Sequence, residues 1–239
     1  MTFYLIGLGL NLKSLNIEAL EVIKKCKTVY LENYTVDYPY SFEELKEITG
    51  KFTELKREPV ENEKFLEEAK KQDIALLVYG NPLSATTHIS LILTCKKQKI
   101  SYKIIHAESI LTAIAETGLQ LYKFGKTASM PKFQKSFEPD SFLNIVLDNE
   151  KIKAHTLLLT DIGLSVKEAI EQLEKTTKNR NIKLDKIIIC SKTGTHESKI
   201  FYNTLENLKK KTIKMPFCII IPSTLHHVEQ EAIELLKEK

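Results

Sequence analysis

The stretch that decides the fold is VYGNPLSATTH, Val78 to His88. It closes the apolar run Ile74 to Val78, turns on Gly80-Asn81-Pro82 and enters an apolar helical pattern, Ala85 to Lys96. An apolar run, a turn and a segment of helical period read as strand, loop and helix. Gly, Asn and Pro permit turns that bulkier residues resist. In an open α/β sheet, loops at the carboxyl ends of strands are where ligands bind. The loop is therefore expected to face one small molecule.

Upstream, Phe3 to Ile6 reads as a buried first strand closed by Gly7-Leu8-Gly9. This turn is no dinucleotide fingerprint, because Leu12 stands where G-x-G-x-x-G needs its third glycine. A ligand-holding turn and a purely structural one both stay open. Ile17 to Cys26 has helical spacing, and Thr28 to Leu31 reads as a strand. Ser41 with Glu44 forms a capping-box pattern. Phe52 to Leu55 reads as a weaker strand, Glu61 to Gln72 as a charged helix and Ser109 to Thr117 as a buried helix. Strand alternating with helix implies a parallel sheet with right-handed crossovers.

The rhythm breaks near Tyr122 to Lys126, and residues 127 to 142 read as a polar connection. The expected organisation is two α/β domains, 1–124 and 125–239. In the second, Thr156 to Leu159, Ile187 to Cys190 and Phe217 to Ile221 read as strands. Phe142 to Leu147, Ser165 to Thr176 and His226 to Lys237 read as helices.

The 239 residues carry a formal charge of +4, too little to argue for nucleic acid. Arg57 and Arg180 are the only arginines, and bidentate recognition of bases usually recruits arginine. No direct nucleic-acid partner is expected. Cys26, Cys95, Cys190 and Cys218 form no C-x-x-C pair and read as buried, reduced thiols. No membrane-spanning run and no signal peptide are evident, so a soluble, cytoplasmic protein is expected.

The six histidines are scattered and make no metal pattern. No Walker loop and no G-x-S-x-G elbow occur. His88 reads as a base or a structural histidine, and Thr86 and Thr87 as ligand contacts or a helix start. Asp161, at a strand end, reads as a substrate contact or a turn cap. Group transfer from an activated cofactor needs mainly positioning, which suits a chain without an obvious nucleophile.

IGLGL at 6–10, GNPLSATTH at 80–88, HAESILTAIAETGLQLYKFGK at 106–126, HTLLLTDI at 155–162 and IIIPSTLHHVE at 219–229 together resemble the diphthine synthases of the tetrapyrrole-methylase superfamily, in their compact archaeal form. The resemblance implies two α/β domains with S-adenosyl-L-methionine in the cleft between them, and a homodimer. It implies methylation of the 3-amino-3-carboxypropyl histidine of translation elongation factor 2, giving diphthine. Carried over by position, the cofactor contacts would be Leu10, Asn81, Ser84, Ser109, Ile110, Thr160, Thr193 and Phe217. Asp161 and Tyr122 are candidates for the substrate side, and no general base is assigned.

The chain departs from the family pattern in places. Asn81 stands at a usual aspartate, Ser84 at a usual small apolar residue, and S-K-T-G at a usual A-R-A-G. Other readings are a related methylase acting on a tetrapyrrole or ribosomal RNA, and a non-catalytic S-adenosylmethionine-binding protein.

Overall fold

Beginning at its first residues, the chain alternates strand and helix. In the computed structural model, which describes residues 1–238, β1 (Thr2–Gly7) is followed by α1 (Ile17–Lys25), β2 (Thr28–Glu32), α2 (Phe42–Thr49) and β3 (Thr53–Leu55). Then come α3 (Arg57–Glu61), β4 (Ile74–Val78), α4 (Ile89–Gln98), β5 (Ser101–Ile105) and the short α5 (Ile110–Ala113). The five strands form one parallel sheet in the order β3-β2-β4-β1-β5.

Period-two side chains sort the sheet into two faces. Ile74, Leu76 and Val78 of β4 join Phe3 and Leu5 against Leu91 and Cys95 of α4. Ala75 and Leu77 join Ile6 and Leu8 against Ala19 and Ile23 of α1 and Leu45 of α2. All five β4 residues are fully buried. Burying a leucine such as Leu76 contributes about 2 kcal/mol relative to leaving it in water. A strand buried on both faces must be continuously apolar, which is what IALLV supplies.

The chain divides into two compact units, Met1–Leu111 and Thr112–Lys239. Residues 118–125 precede or straddle the boundary expected at 124, yet they bond within the second unit. Gln120 donates its backbone N–H to Glu229, and His155 donates its own to the Lys123 carbonyl.

The second unit contains β6 (Ala128–Met130), α6 (Phe142–Lys151), β7 (Thr156–Thr160), α7 (Val166–Asn179), β8 (Ile187–Ser191), β9 (Lys199–Asn203), α8 (Leu205–Lys209), β10 (Phe217–Ile221) and α9 (His227–Leu236). Its sheet runs β6-β7-β10-β8-β9, and only the β6–β7 pair is parallel. Leu158, Ile189 and Ile219 form its core with Ile170 and Leu173 of α7.

Four local expectations shift. The charged segment 61–72 splits, because Glu63 adopts a left-handed conformation (φ 59°) between α3 and a 3-10 stretch, Lys64–Lys70. Helix α4 starts at Ile89 rather than Ala85, and Ala85 itself is left-handed (φ 57°). The expected helix 109–117 is the short α5 continued by a 3-10 turn, Ile114–Thr117. The polar connection at 127–142 hides β6. Three of the four cysteines are buried and Cys26 only partly; all four are free thiols. Among the described residues, no helix is long and apolar enough to cross a membrane.

Candidate functional site

In the first unit, β1 and β4 are neighbours whose following helices lie on opposite faces of the sheet. That is a topological switch point, where a crevice opens beyond the carboxyl ends of the strands. The two loops at this point are locked together. Gly9 and Gly80 exchange backbone hydrogen bonds, 3.2 Å from Gly9 N to Gly80 O and 3.0 Å in return.

Gly7 explains why the loops can converge. A Cβ there would lie 2.7 Å from the Gly80 carbonyl oxygen, 2.9 Å from Ala107 Cβ and 2.9 Å from Pro82 Cδ. The close approach that the glycine permits is therefore to other loops of the chain. Gly80 has a different reason: its φ is +67°, and a Cβ would meet nothing nearer than Glu108 O at 3.7 Å and Leu10 Cδ2 at 4.0 Å. A methyl at Gly80 would thus make only ordinary contacts, and the turn selects glycine for its backbone angle.

Around this point lie the first-unit candidates. Leu10 is buried, and its carbonyl accepts from the Tyr79 hydroxyl at 3.1 Å. Asn81 Oδ1 accepts the Leu83 N–H (3.1 Å), while Nδ2 donates to the Ala107 carbonyl (3.1 Å) and faces His106 Nδ1 (3.1 Å). Ser84 donates its backbone N–H to the Asn81 carbonyl. Ser109 is buried, and its Oγ accepts the Leu111 N–H; Ile110 opens α5. The structure thus brings Leu10, Asn81, Ser84 and the 106–110 segment to one edge of the parallel sheet.

Thr86 and His88 turn inward. The Thr86 hydroxyl and His88 Nδ1 both donate to the Pro82 carbonyl, at 2.7 and 3.2 Å. These side-chain bonds fold residues 82–88 back before the helix starts. His88 is 2% exposed, and burial pushes its pKa down against the opposing pull of Glu32 and the Pro82 carbonyl. It is placed as a loop brace.

In the second unit, antiparallel pairing brings the other candidates together. Phe217 at the start of β10 pairs with Ser191 at the end of β8. The Thr160 hydroxyl donates to the Phe217 carbonyl at 3.1 Å. Thr193, 7% exposed, lies two residues beyond Ser191, in a segment whose Lys192 N–H bonds the Pro216 carbonyl. Asp161 is exposed, and its carboxylate accepts the Ile162 and Lys132 N–H groups, as a turn cap does. Tyr122 is 81% exposed on a 3-10 turn, away from this edge's hydrogen bonds.

One cluster escaped the sequence. Glu229, fully buried, takes Lys123 Nζ, the Gln120 and His226 N–H groups and His155 Nε2. Burial alone would raise its pKa, but these donors hold it at about 2. His155 accepts the Ser223 N–H at Nδ1, so the proton sits on Nε2, facing Glu229. The partners lie 74 and 106 positions apart, a separation that no local pattern reveals. Among the described residues, no group of side chains could hold a metal ion.

Against known proteins, the model of the Tetrapyrrole (Corrin/Porphyrin) Methylases matches residues 2–209. The diphthine methyl ester synthase of Candida glabrata is 46% identical over 184 residues, covering 75% of this chain but 60% of that protein. The diphthine synthase of Methanococcus maripaludis is 35% identical, covering 97% of both chains. A crystal structure of diphthine synthase superposes with a TM-score of 0.90 at 32% identity, covering 99% of this chain and 96% of that one.

Proposed function

Because this chain belongs to the Tetrapyrrole (Corrin/Porphyrin) Methylases, and within them to the diphthine synthases, we propose that it is the S-adenosylmethionine-dependent methyltransferase that N-methylates the 3-amino-3-carboxypropyl histidine of translation elongation factor 2. The product is diphthine, the trimethylammonium form, within diphthamide biosynthesis. The observation that carries this reading is the locked switch point of the first unit, where the Gly9–Gly80 bridge draws Leu10, Gly80 and the 106–110 segment together at one sheet edge.

The residues present suit this cofactor. The edge offers backbone groups, a carboxamide and hydroxyls, which match a polar nucleoside and an amino acid. Leu10, Asn81, Ser84, Ser109 and Ile110 are its contacts in the first unit; Thr160, Thr193 and Phe217 are those in the second. Bound S-adenosylmethionine supplies an electrophilic sulfonium methyl. The work left to the chain is to hold the amine in line with that methyl and keep it unprotonated. In-line positioning can account for about 7–11 kcal/mol of barrier at best, and a dry setting favours the neutral amine. Asp161 and Tyr122 are this reading's candidates for the substrate side, and no general base is assigned.

The reading includes a homodimer and a cytoplasmic setting, and no nucleic-acid partner. Supporting the last point, both arginines are already engaged, Arg57 by Glu61 and Arg180 by Asp140.

The test is incubation with radiolabelled S-adenosylmethionine and elongation factor 2 bearing the aminocarboxypropyl histidine, followed by mass analysis of the modified peptide. Three N-methyl groups are expected. A fourth methyl, as an ester, would change the product to that named for the Candida relative. Cofactor binding without methylation of the factor would overturn the reading in favour of a binding protein. Methyl transfer to a tetrapyrrole or to ribosomal RNA instead would favour another branch of the superfamily.

A further inference from the structure

The segment after β5 carries two candidate cofactor contacts, Ser109 and Ile110; it leaves the sheet at His106, directly after Ile105 of the strand. Two asparagine side chains hold its first carbonyls beyond the sheet. Asn16 Nδ2 donates to the His106 carbonyl at 3.1 Å, and its Oδ1 caps α1 by accepting the Ala19 N–H at 2.7 Å. Asn81 Nδ2 donates to the next carbonyl, Ala107, at 3.1 Å, and its Oδ1 accepts the Leu83 N–H. Each carboxamide thus accepts from its own loop and donates to its neighbour's.

The assignment of oxygen and nitrogen follows from the partners. A backbone N–H fixes the oxygen and a backbone carbonyl fixes the nitrogen, in both residues. Aspartate can reproduce only the accepting half. Facing a carbonyl, its carboxylate has nothing to donate and meets another acceptor. At position 81 the second amide hydrogen faces His106 Nδ1, 3.1 Å away, so that nitrogen acts as an acceptor.

We infer that Asn16 and Asn81 are a matched pair of positioning residues that set the cofactor-facing segment His106–Ile110 through its first two carbonyls. The aspartate that the family pattern puts at 81 would not do this work in the present chain. This deepens the methyltransferase reading and rests on it for the identity of the ligand.

The test uses the full-length protein and the variants Asn16→Asp and Asn81→Asp. Asn16→Asp is the sharper probe, because aspartate caps a helix as well as asparagine does and only the donated bond is lost. Two measurements are made: amide hydrogen exchange of the ligand-free protein, and calorimetric binding of S-adenosylhomocysteine. Each variant should speed exchange in 106–111 while Asn16→Asp leaves the melting midpoint within about 3 °C. Each should also weaken S-adenosylhomocysteine about five- to tenfold, the weight of one lost hydrogen bond and one opposed acceptor. Unchanged exchange in 106–111 for both variants would overturn the inference. So would exchange that rises evenly through α1 and β5, which would mark a general loss of stability. If the wild-type protein fails to bind S-adenosylhomocysteine, the functional reading falls, and the exchange measurement still decides the inference.

Discussion

The two units bring their strand ends together by opposite means. In the first, every strand is parallel, so all the carboxyl ends share one edge and consecutive loops meet there. Those loops are tied by neutral groups: the Gly9–Gly80 bridge, two carboxamides and hydroxyls. In the second, β10 runs antiparallel to both β7 and β8, so its start meets their ends. At the opposite end of the same strands, before β7 starts and after β10 ends, the chain is fastened by a buried charge, Glu229, with Lys123 and His155 around it. A parallel sheet gathers loops by topology and can fix them with weak, directional bonds. A mixed sheet with long connections relies here on one ionic anchor, which is costly to break.

The sharpest way to break the contrast is to strip each unit of its own device. Glu229→Gln leaves the Lys123 ammonium without its carboxylate beside a fully buried site, and should cost about 3 kcal/mol in urea unfolding. Gly7→Ala forces a methyl to 2.7 Å from the Gly80 carbonyl. It should cost about 2 kcal/mol and speed hydrogen exchange in 80–84 and 106–108, leaving the second unit's exchange unchanged.

Acid should act on both units through a buried histidine, His88 in the first and His155 in the second, and on the second again through Glu229. Burial lowers the pKa of His155 from 6.5, and Glu229 is held at about 2 instead of 4.5. In both cases the unfolded chain takes up protons that the folded chain refuses. Their contribution is therefore present above these ordinary values and is lost as pH falls, His155 first from about 6.5 and Glu229 between 4.5 and about 2. Urea midpoints measured between pH 7 and 3 should fall, and Glu229→Gln should flatten the lower part of the curve.

Smaller effects sharpen the picture. Gly80→Ala meets no clash but must hold φ at +67°, for about 1.5 kcal/mol, read as a shift in urea midpoint. At the bottom, both units carry the same capping box, Ser41 with Glu44 and Ser165 with Glu168. Ser41→Ala and Ser165→Ala should each cost about 1 kcal/mol. Equal losses would confirm that the contrast between units lies in how loops are held and not in helix quality.

Much of the first unit was legible. Ile74–Val78 is apolar throughout and is flanked by Asp73 and Tyr79-Gly80, so its limits were plain, and the capping box of α2 was read directly. The break at Glu63 was not, because nothing in a charged run announces a left-handed glutamate. In the second unit the direction of pairing was hidden. Ile187–Cys190 and Phe217–Ile221 are buried on both faces, and such runs look alike in parallel and antiparallel sheets. Strand β6 has three residues inside a polar stretch, too few to show a period. Of the candidate site, the turn residues Gly80 and Asn81 announced themselves. Asn16 and His106 did not, since Asn16 reads as an ordinary helix cap and His106 contributes a backbone carbonyl.

The two asparagines also bear on how the protein ages. An asparagine converts spontaneously to aspartate when the backbone nitrogen of the following residue attacks its carboxamide. Residue 82 is proline, whose nitrogen carries no hydrogen and cannot close that ring. Residue 17 is isoleucine, whose branched Cβ crowds the same attack. Both carboxamides also hold hydrogen bonds at each end, which restrains them from the reactive geometry. The segment at His106 thus hangs on two side chains whose slow decay would loosen it, and each is followed by a residue that delays that decay.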